Sequence, residues 1–194
     1  IAINKKQHGT KHYRYAISLR NYAQYLVKIK QFSKAETLLN ISQDIITELY
    51  GNNHSLISYI TDVKGKLYEG LDNSVKAEKY YAQTAAILEE NFGPEYLTLA
   101  NVRTKQGILK LKQKNYNSAL DKFNNSETIF RKNGESDSFY SGKNQYYLGR
   151  TYFMLEQYDL AQNHLENAYR TLIETKGKTF DLTLETEKLL TEIP

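Results

Sequence analysis

Apolar residues along this chain fall at three- and four-residue steps, the spacing that places them on one face of a helix. The first stripe is Tyr15, Leu19, Tyr22, Ala23, Leu26 and Ile29. A second begins after Gln31 and runs Ala35, Leu38, Leu39, Ser42, Ile45, Ile46 and Leu49. Tyr50-Gly51 stops it, because glycine accepts the left-handed conformation that closes a helix C-terminus. Asn52-Asn53 suits the turn that follows. Two such helices joined by a short turn form an antiparallel pair. The same pattern predicts helices over 11–30, 33–50, 55–71, 74–91, 95–113, 117–132, 137–155, 159–175 and 179–192. No strand is expected. The only prolines, Pro94 and Pro194, leave these helices uninterrupted.

The pairs repeat every 42 residues: Ala35, Ala77, Ala119 and Ala161 are equally spaced. Twelve positions before each stands a small residue, Ala23, Gly65, Gly107 or Gly149. Three before each come Phe32, Ser74, Tyr116 and Tyr158, and sixteen after come Gly51, Gly93, Glu135 and Gly177. A fixed period of this size marks a solenoid, in which each unit packs on its neighbours. The fold class is therefore all-α, an α-solenoid of antiparallel helix pairs. Residues 1–194 divide as 1–9, the end of a preceding repeat; 10–51, 52–93, 94–135 and 136–177, four repeats; and 178–194, a further or capping helix. Gly9, in register with Gly51, and the unpaired last helix suggest an excerpt from a longer array. Gly134 falls one place early and predicts an altered loop. A glycine inside a helix costs about 0.5–1 kcal/mol relative to alanine. Gly65, Gly107 and Gly149 thus imply close approach of the partner helix, with Ala35 and its equivalents across the contact. Phe32, Tyr116 and Tyr158 are expected to fill the turns. Ser74, Thr61 and Lys64 depart from the pattern and predict a looser second repeat.

Composition removes several kinds of chemistry. The absence of Cys excludes disulfides, thiolate catalysis and Cys-based zinc sites. No apolar run approaches the roughly 18 residues of a membrane span, and no signal peptide is visible. A membrane partner is not expected, and the cytoplasm is the expected location. The net charge of +4 is mild, with 26 basic and 22 acidic residues interspersed. The 17 tyrosines suit both helix seams and binding surfaces.

The first repeat contains Leu19-Arg20-Asn21-Tyr22-Ala23-Gln24-Tyr25-Leu26, Phe32-Ser33-Lys34-Ala35-Glu36 and Leu49-Tyr50-Gly51-Asn52-Asn53-His54. The fourth contains Tyr147-Leu148-Gly149-Arg150-Thr151-Tyr152, Gln157-Tyr158-Asp159-Leu160-Ala161 and Ala168. These runs resemble the tetratricopeptide repeat in its longer form, found in kinesin light chains. The resemblance covers essentially the whole chain. It implies a right-handed superhelix whose first helices line a concave groove. By register, that groove takes Arg20, Asn21, Gln24 and Lys28 from the first repeat, and Tyr59, Asp62, Lys66 and Glu69 from the second. The third gives Asn101, Thr104, Lys105, Ile108 and Lys112; the fourth gives Lys143, Tyr146, Tyr147, Arg150 and Phe153. Amides hold a peptide backbone, aromatics take side chains, and Lys or Arg meet carboxylates.

The resulting expectation is a noncatalytic module that binds an extended, acidic peptide or a neighbouring domain, without cofactor or metal. One alternative is the regulatory array of a larger enzyme such as a kinase or caspase-like peptidase, its partner being another domain of the same parent protein. Nucleic acid is a second alternative, disfavoured because Asp62 and Glu69 interrupt the basic stripe. Arg20 and Asn21 loosely match the family's clamp for a chaperone's terminal carboxylate, but Val63 breaks that pattern. Exposed repeat ends predict self-association. His12 and His54 share one register position and read as caps or loop packing; His8 and His164 are isolated. Gly177-Lys178-Thr179 lacks the glycine and strand of a phosphate loop, and three Asn-X-Ser triplets lack any sign of secretion.

Overall fold

A computed structural model describes residues 1–194, apart from the side chains of Lys5 and His8, so the expectation for His8 lies outside the described residues. The described residues form ten helices and no strand: α1 Ala2–His8, α2 Tyr13–Lys28, α3 Phe32–Tyr50, α4 Ser55–Gly70, α5 Ser74–Phe92, α6 Leu97–Lys112, α7 Tyr116–Lys132, α8 Phe139–Met154, α9 Tyr158–Lys176 and α10 Asp181–Thr191. The nine predicted helices are all present, with ends shifted by at most two residues, and α1 is additional. The chain divides into two compact units, 1–94 and 95–194, each holding two complete helix pairs.

The helix ends follow from the residues placed there. His12 and His54 are N-caps, whose Nδ1 atoms accept from the backbone N–H of Arg14 at 3.1 Å and Leu56 at 3.2 Å. Each imidazole also stacks on a tyrosine, Tyr13 or Tyr50. Gly51, Gly93 and Gly177 close α3, α5 and α9 at φ near +86°. The early Gly134 shortens α7 to 17 residues, where α3, α5 and α9 have 19. There Glu135 donates to the Phe130 carbonyl and closes the altered loop that the register predicts. Asn91 and Asn133, 42 apart, each use Nδ2 to tie the last turn of their helix to a loop carbonyl, of Asn53 or Glu95.

In the last three pairs the small residue does admit a close neighbour from the partner helix. A Cβ on Gly65 would lie 2.3 Å from the Tyr81 ring, on Gly107 2.4 Å from Phe123, and on Gly149 2.6 Å from Leu165. These partners stand four residues, one turn, past the repeat's register alanine; at Gly149 the Ala161 carbonyl, 3.1 Å away, is also among the nearest atoms. A second seam is polar. Ser42 and Ser126 donate to the carbonyls of Ala16 and Ala100, and Thr84 pairs with Thr61 at 2.8 Å. Buried hydroxyls are inexpensive when so partnered.

Two of the residues that predicted a looser 52–93 repeat, Thr61 and Lys64, are likewise satisfied. Thr61 bonds Thr84 and its own helix, while Lys64 donates to Gln43 at 2.7 Å and lies over the Tyr80 ring. Burial lowers the pKa of the Lys64 ammonium, partly offset by Asp44 and Glu36. Two parts of the first-repeat stripes are corrected. Tyr22 of α2, Ile29 at its C-cap and Leu49 of α3 are exposed; the buried residues are Ala16, Leu19, Ala23 and Leu26, with Ala35, Leu39, Ser42, Ile45 and Ile46. In the 95–194 unit, α10 packs on α9 and α8, with Leu182, Leu189, Leu190 and Ile193 against Leu165, Ala168 and Leu172. Leu184 stays exposed.

Candidate peptide-binding surface

In each unit the first helices of successive pairs lie side by side, α2 with α4 and α6 with α8, and α8 continues onto α10. Their shared side carries the residues expected to line a groove. In the 1–94 unit Arg20 is half-buried, its guanidinium 5.5 Å from the Tyr59 ring. Burial lowers its pKa, against the opposing pull of Tyr59 and Asp62. Asn21, Gln24 and Lys28 are exposed, and Arg20 reaches Gln24 at 3.4 Å. Asp62 is bridged to Lys66 at 2.8 Å, so those two charges largely answer each other. Glu69 accepts from the Tyr81 hydroxyl at 2.5 Å. The space beside Arg20, Tyr59 and Ser42 is only about 10 Å³, too tight for a side chain.

The 95–194 unit is more open. Ile108, Leu111, Lys112, Lys114, Tyr116, Tyr147, Arg150 and Met154 line a cavity of about 260 Å³. Its wall is apolar and its three charged groups are all cations. Arg150 is exposed and makes no hydrogen bond or ion pair among the described residues. On its other side, Arg150 borders a hollow of about 320 Å³ with Tyr146, Glu185, Lys188, Leu189 and Glu192. Of the expected residues, Ile108, Lys112, Tyr147 and Arg150 therefore converge. Asn101 and Lys105 are half-buried on α6 outside the cavity lining.

Three expectations need correction. Tyr146 is a core residue, its ring packed with Leu165, Ala168 and Leu172 and only its hydroxyl reaching Glu185 at 3.0 Å. Burial, with Glu185 and against Arg150, pushes that phenol up to about 12. Phe153 packs edge-on against Tyr158 in the turn between α8 and α9, away from the cavity lining. Thr104 is buried, bonded to Ser126 and Asn144. Conversely, Leu111, Lys114, Tyr116 and Met154 were not anticipated. Tyr116 and Met154 sit at the registers of Phe32 and Gly70, a signal visible only when neighbouring repeats are read as a pair. His164 contacts Gln145 at 2.6 Å and stacks on Tyr152. Among the described residues no group of His, Asp and Glu could hold a metal, and no helix is long and apolar enough to cross a membrane.

Known proteins share this architecture. Residues 60–132 and 98–174, together more than half of the chain, match the family model of the tetratricopeptide repeat. The fold is similar to the crystal structure of BtubC (BKLC) from P. vanneervenii, with TM-score 0.81, 19% identity, and 93% of this chain and 72% of that one covered. It is similar to a Podosopora anserina putative kinesin light chain with nearly identical TPR-like repeats, with TM-score 0.75, 16% identity, and coverage of 94% and 86%. A third likeness is to the signal-transduction ATPase with numerous domains from Pyrococcus horikoshii, which carries a tetratricopeptide repeat sensor; TM-score is 0.72, identity 18%, and coverage 93% of this chain but 26% of that one. No curated protein matches the sequence. The repeat register, the paired helices and the family match agree: the chain belongs to the tetratricopeptide repeat family.

Proposed function

We propose that this array is a noncatalytic protein-interaction module that binds an extended acidic peptide along its first helices. The carrying observation is the cavity of the 95–194 unit, an apolar wall of Ile108, Leu111, Tyr147 and Met154 rimmed by Lys112, Lys114 and Arg150. An apolar peptide side chain would enter it while flanking carboxylates meet the rim, and charge-assisted hydrogen bonds to Arg are the stronger kind. The 1–94 unit carries residues of the same chemistry on its own first helix, Arg20 and Lys28 with Asn21 and Gln24. Glu- and Asp-rich peptides carrying one bulky apolar residue, followed by fluorescence anisotropy, test this. Binding should weaken with salt as exposed charges are screened. Lys105→Glu combined with Arg150→Glu should weaken it further. Lys122→Glu should not, because Lys122 lies on α7 and already pairs with Asp121 at 2.9 Å. Equal losses from both changes would contradict a site on the first helices.

A second reading is a sensor array whose partner is another domain of the same parent protein. What favours it is the likeness to the sensor-bearing ATPase, of which this chain spans about a quarter. Binding of a neighbouring domain, rather than free peptides, would support it.

A further inference from the structure

The two first helices that wall the cavity of the 95–194 unit carry charge of one sign. α6 holds four Lys or Arg and α8 holds two, and neither holds an Asp or Glu. A cleft lined by one sign of charge concentrates the opposite sign. The earlier unit is built otherwise. There Lys66 stands at the register of Arg150 and is bridged to Asp62 on its own helix. In α8 the register of Asp62 holds Tyr146, so no acidic residue stands one turn before Arg150. The carboxylates bordering the other side of Arg150 already have partners: Glu185 accepts from the Tyr146 hydroxyl at 3.0 Å, and Glu192 lies 3.7 Å from Lys188. Lys112, Lys114 and Arg150 line the cavity itself, and among the described residues no Asp or Glu does.

The wall is aromatic as well as aliphatic. Tyr147 replaces the buried Val63 of the earlier unit and lines the cavity beside Tyr116. Its ring is fixed from behind, stacked on Phe123 at 5.9 Å and edge-on to Tyr146 at 5.0 Å. A preset wall spares a ligand the cost of ordering it, and aromatic faces favour an aromatic guest. Size agrees. A closed cavity of about 150 Å³ holds a benzene ring. The space of about 260 Å³ here admits a ring that bears a substituent. The cations select that substituent. A carboxylate offers a single charge, whereas a phosphate monoester carries about 1.5 to 2 negative charges at neutral pH and three strong acceptor oxygens.

We propose that this cavity is a phosphotyrosine site: the ring of a phosphorylated tyrosine in a partner peptide enters beside Tyr116, Tyr147 and Met154, and its phosphate meets Lys112, Lys114 and Arg150. The proposal rests on reading the cavity as a peptide site and names the side chain that it selects. Four fluorescent peptides of one Glu-containing sequence test it, differing only at a central phosphotyrosine, tyrosine, phenylalanine or phosphoserine. Titrated with the 194-residue chain and followed by anisotropy, the phosphotyrosine peptide should bind about tenfold or more tighter than each of the others. Arg150→Gln and Lys114→Gln, both at exposed positions, should each reduce that preference, and Lys122→Gln on α7 should keep it. Circular dichroism checks that each variant is folded. Phenyl phosphate should displace the phosphotyrosine peptide at concentrations where inorganic phosphate does not. Tyrosine or phenylalanine peptides that bind as tightly as phosphotyrosine overturn the proposal and leave the acidic-peptide reading standing. Equal binding of phosphoserine, or equal displacement by inorganic phosphate, also overturns it, because the ring would then contribute nothing. So does a preference that survives both Arg150→Gln and Lys114→Gln. Absence of binding by all four peptides sinks this proposal and the acidic-peptide reading together.

Discussion

Phe32 and Gly70 in the 1–94 unit occupy the same registers as Tyr116 and Met154 in the 95–194 unit, yet the outcomes differ. In the first, the Phe32 ring lies so close to Gly70 that an added Cβ would sit 2.6 Å from it. In the second, Tyr116 and Met154 border a cavity of about 260 Å³. The backbone plan is shared, so the difference comes from side chains of adjacent repeats taken two at a time. Repetition specifies the fold, and departure from repetition specifies where a cavity opens.

The shared plan should break most severely at the small-residue seam. Gly107→Leu forces a side chain into Phe123, and overpacking of this kind costs about 1–3 kcal/mol or somewhat more. Gly65→Leu should cost a similar amount against Tyr81, because both glycines face a ring at nearly the same distance. Chemical denaturation measures both, and an unchanged midpoint for Gly107→Leu would refute the seam. The difference between the units should appear next. Gly70→Met must displace Phe32 and is expected to destabilise by about 1–3 kcal/mol. Met154→Gly removes a half-exposed side chain and should cost only about 1 kcal/mol, chiefly from glycine in a helix. Comparable losses from the two would erase the distinction.

Backbone strain gives a smaller effect of opposite sign. Lys30, Asp72, Lys114 and Glu156, again 42 apart, all adopt positive φ of 54–59° in the turn between paired helices. Lys114→Gly should stabilise by about 1 kcal/mol, and Asp72→Gly by less, because Asp tolerates this conformation better. Equal thermal shifts would show that strain at these turns is relieved in another way. The smallest effect is in pH. Burial holds the His164 imidazole below its usual range. The folded protein then takes up that proton less readily than the unfolded chain, so stability is lost as pH falls below about 6.5. Glu127 acts in the other sense: burial raises its carboxyl, opposed by bonds from Asn144 and Gln145, so it costs stability as pH rises above about 4.3. His164→Gln should flatten the acid side of a melting-temperature profile through the histidine range; an unaltered profile would assign that slope to other groups.

The helices and their pairing were legible because they depend on local signals repeated four times: apolar stripes, small residues at 23, 65, 107 and 149, and closing glycines. Even the displaced Gly134 announced its altered loop. The turn residues at positive φ were hidden, since Lys and Glu carry no sign of that conformation. The burial of Tyr146 was hidden as well: its register is held by a half-buried Arg20, and only packing against Leu165, Ala168 and Leu172 decides it. The cavity escaped for the same reason. Ile108, Lys112, Tyr147 and Arg150 were named, but Tyr116 and Met154 stand at helix ends, which a reading of helix faces passes over.

Met154 is the single methionine of the chain and lines the cavity. Its methyl group is therefore a unique reporter in a protein labelled at methionine with carbon-13. Titration with an acidic peptide bearing one bulky apolar residue should shift that one signal saturably, with the affinity found by anisotropy, and Arg150→Glu should weaken the response. A peptide that binds by anisotropy while the Met154 methyl signal stays in place would contradict the account.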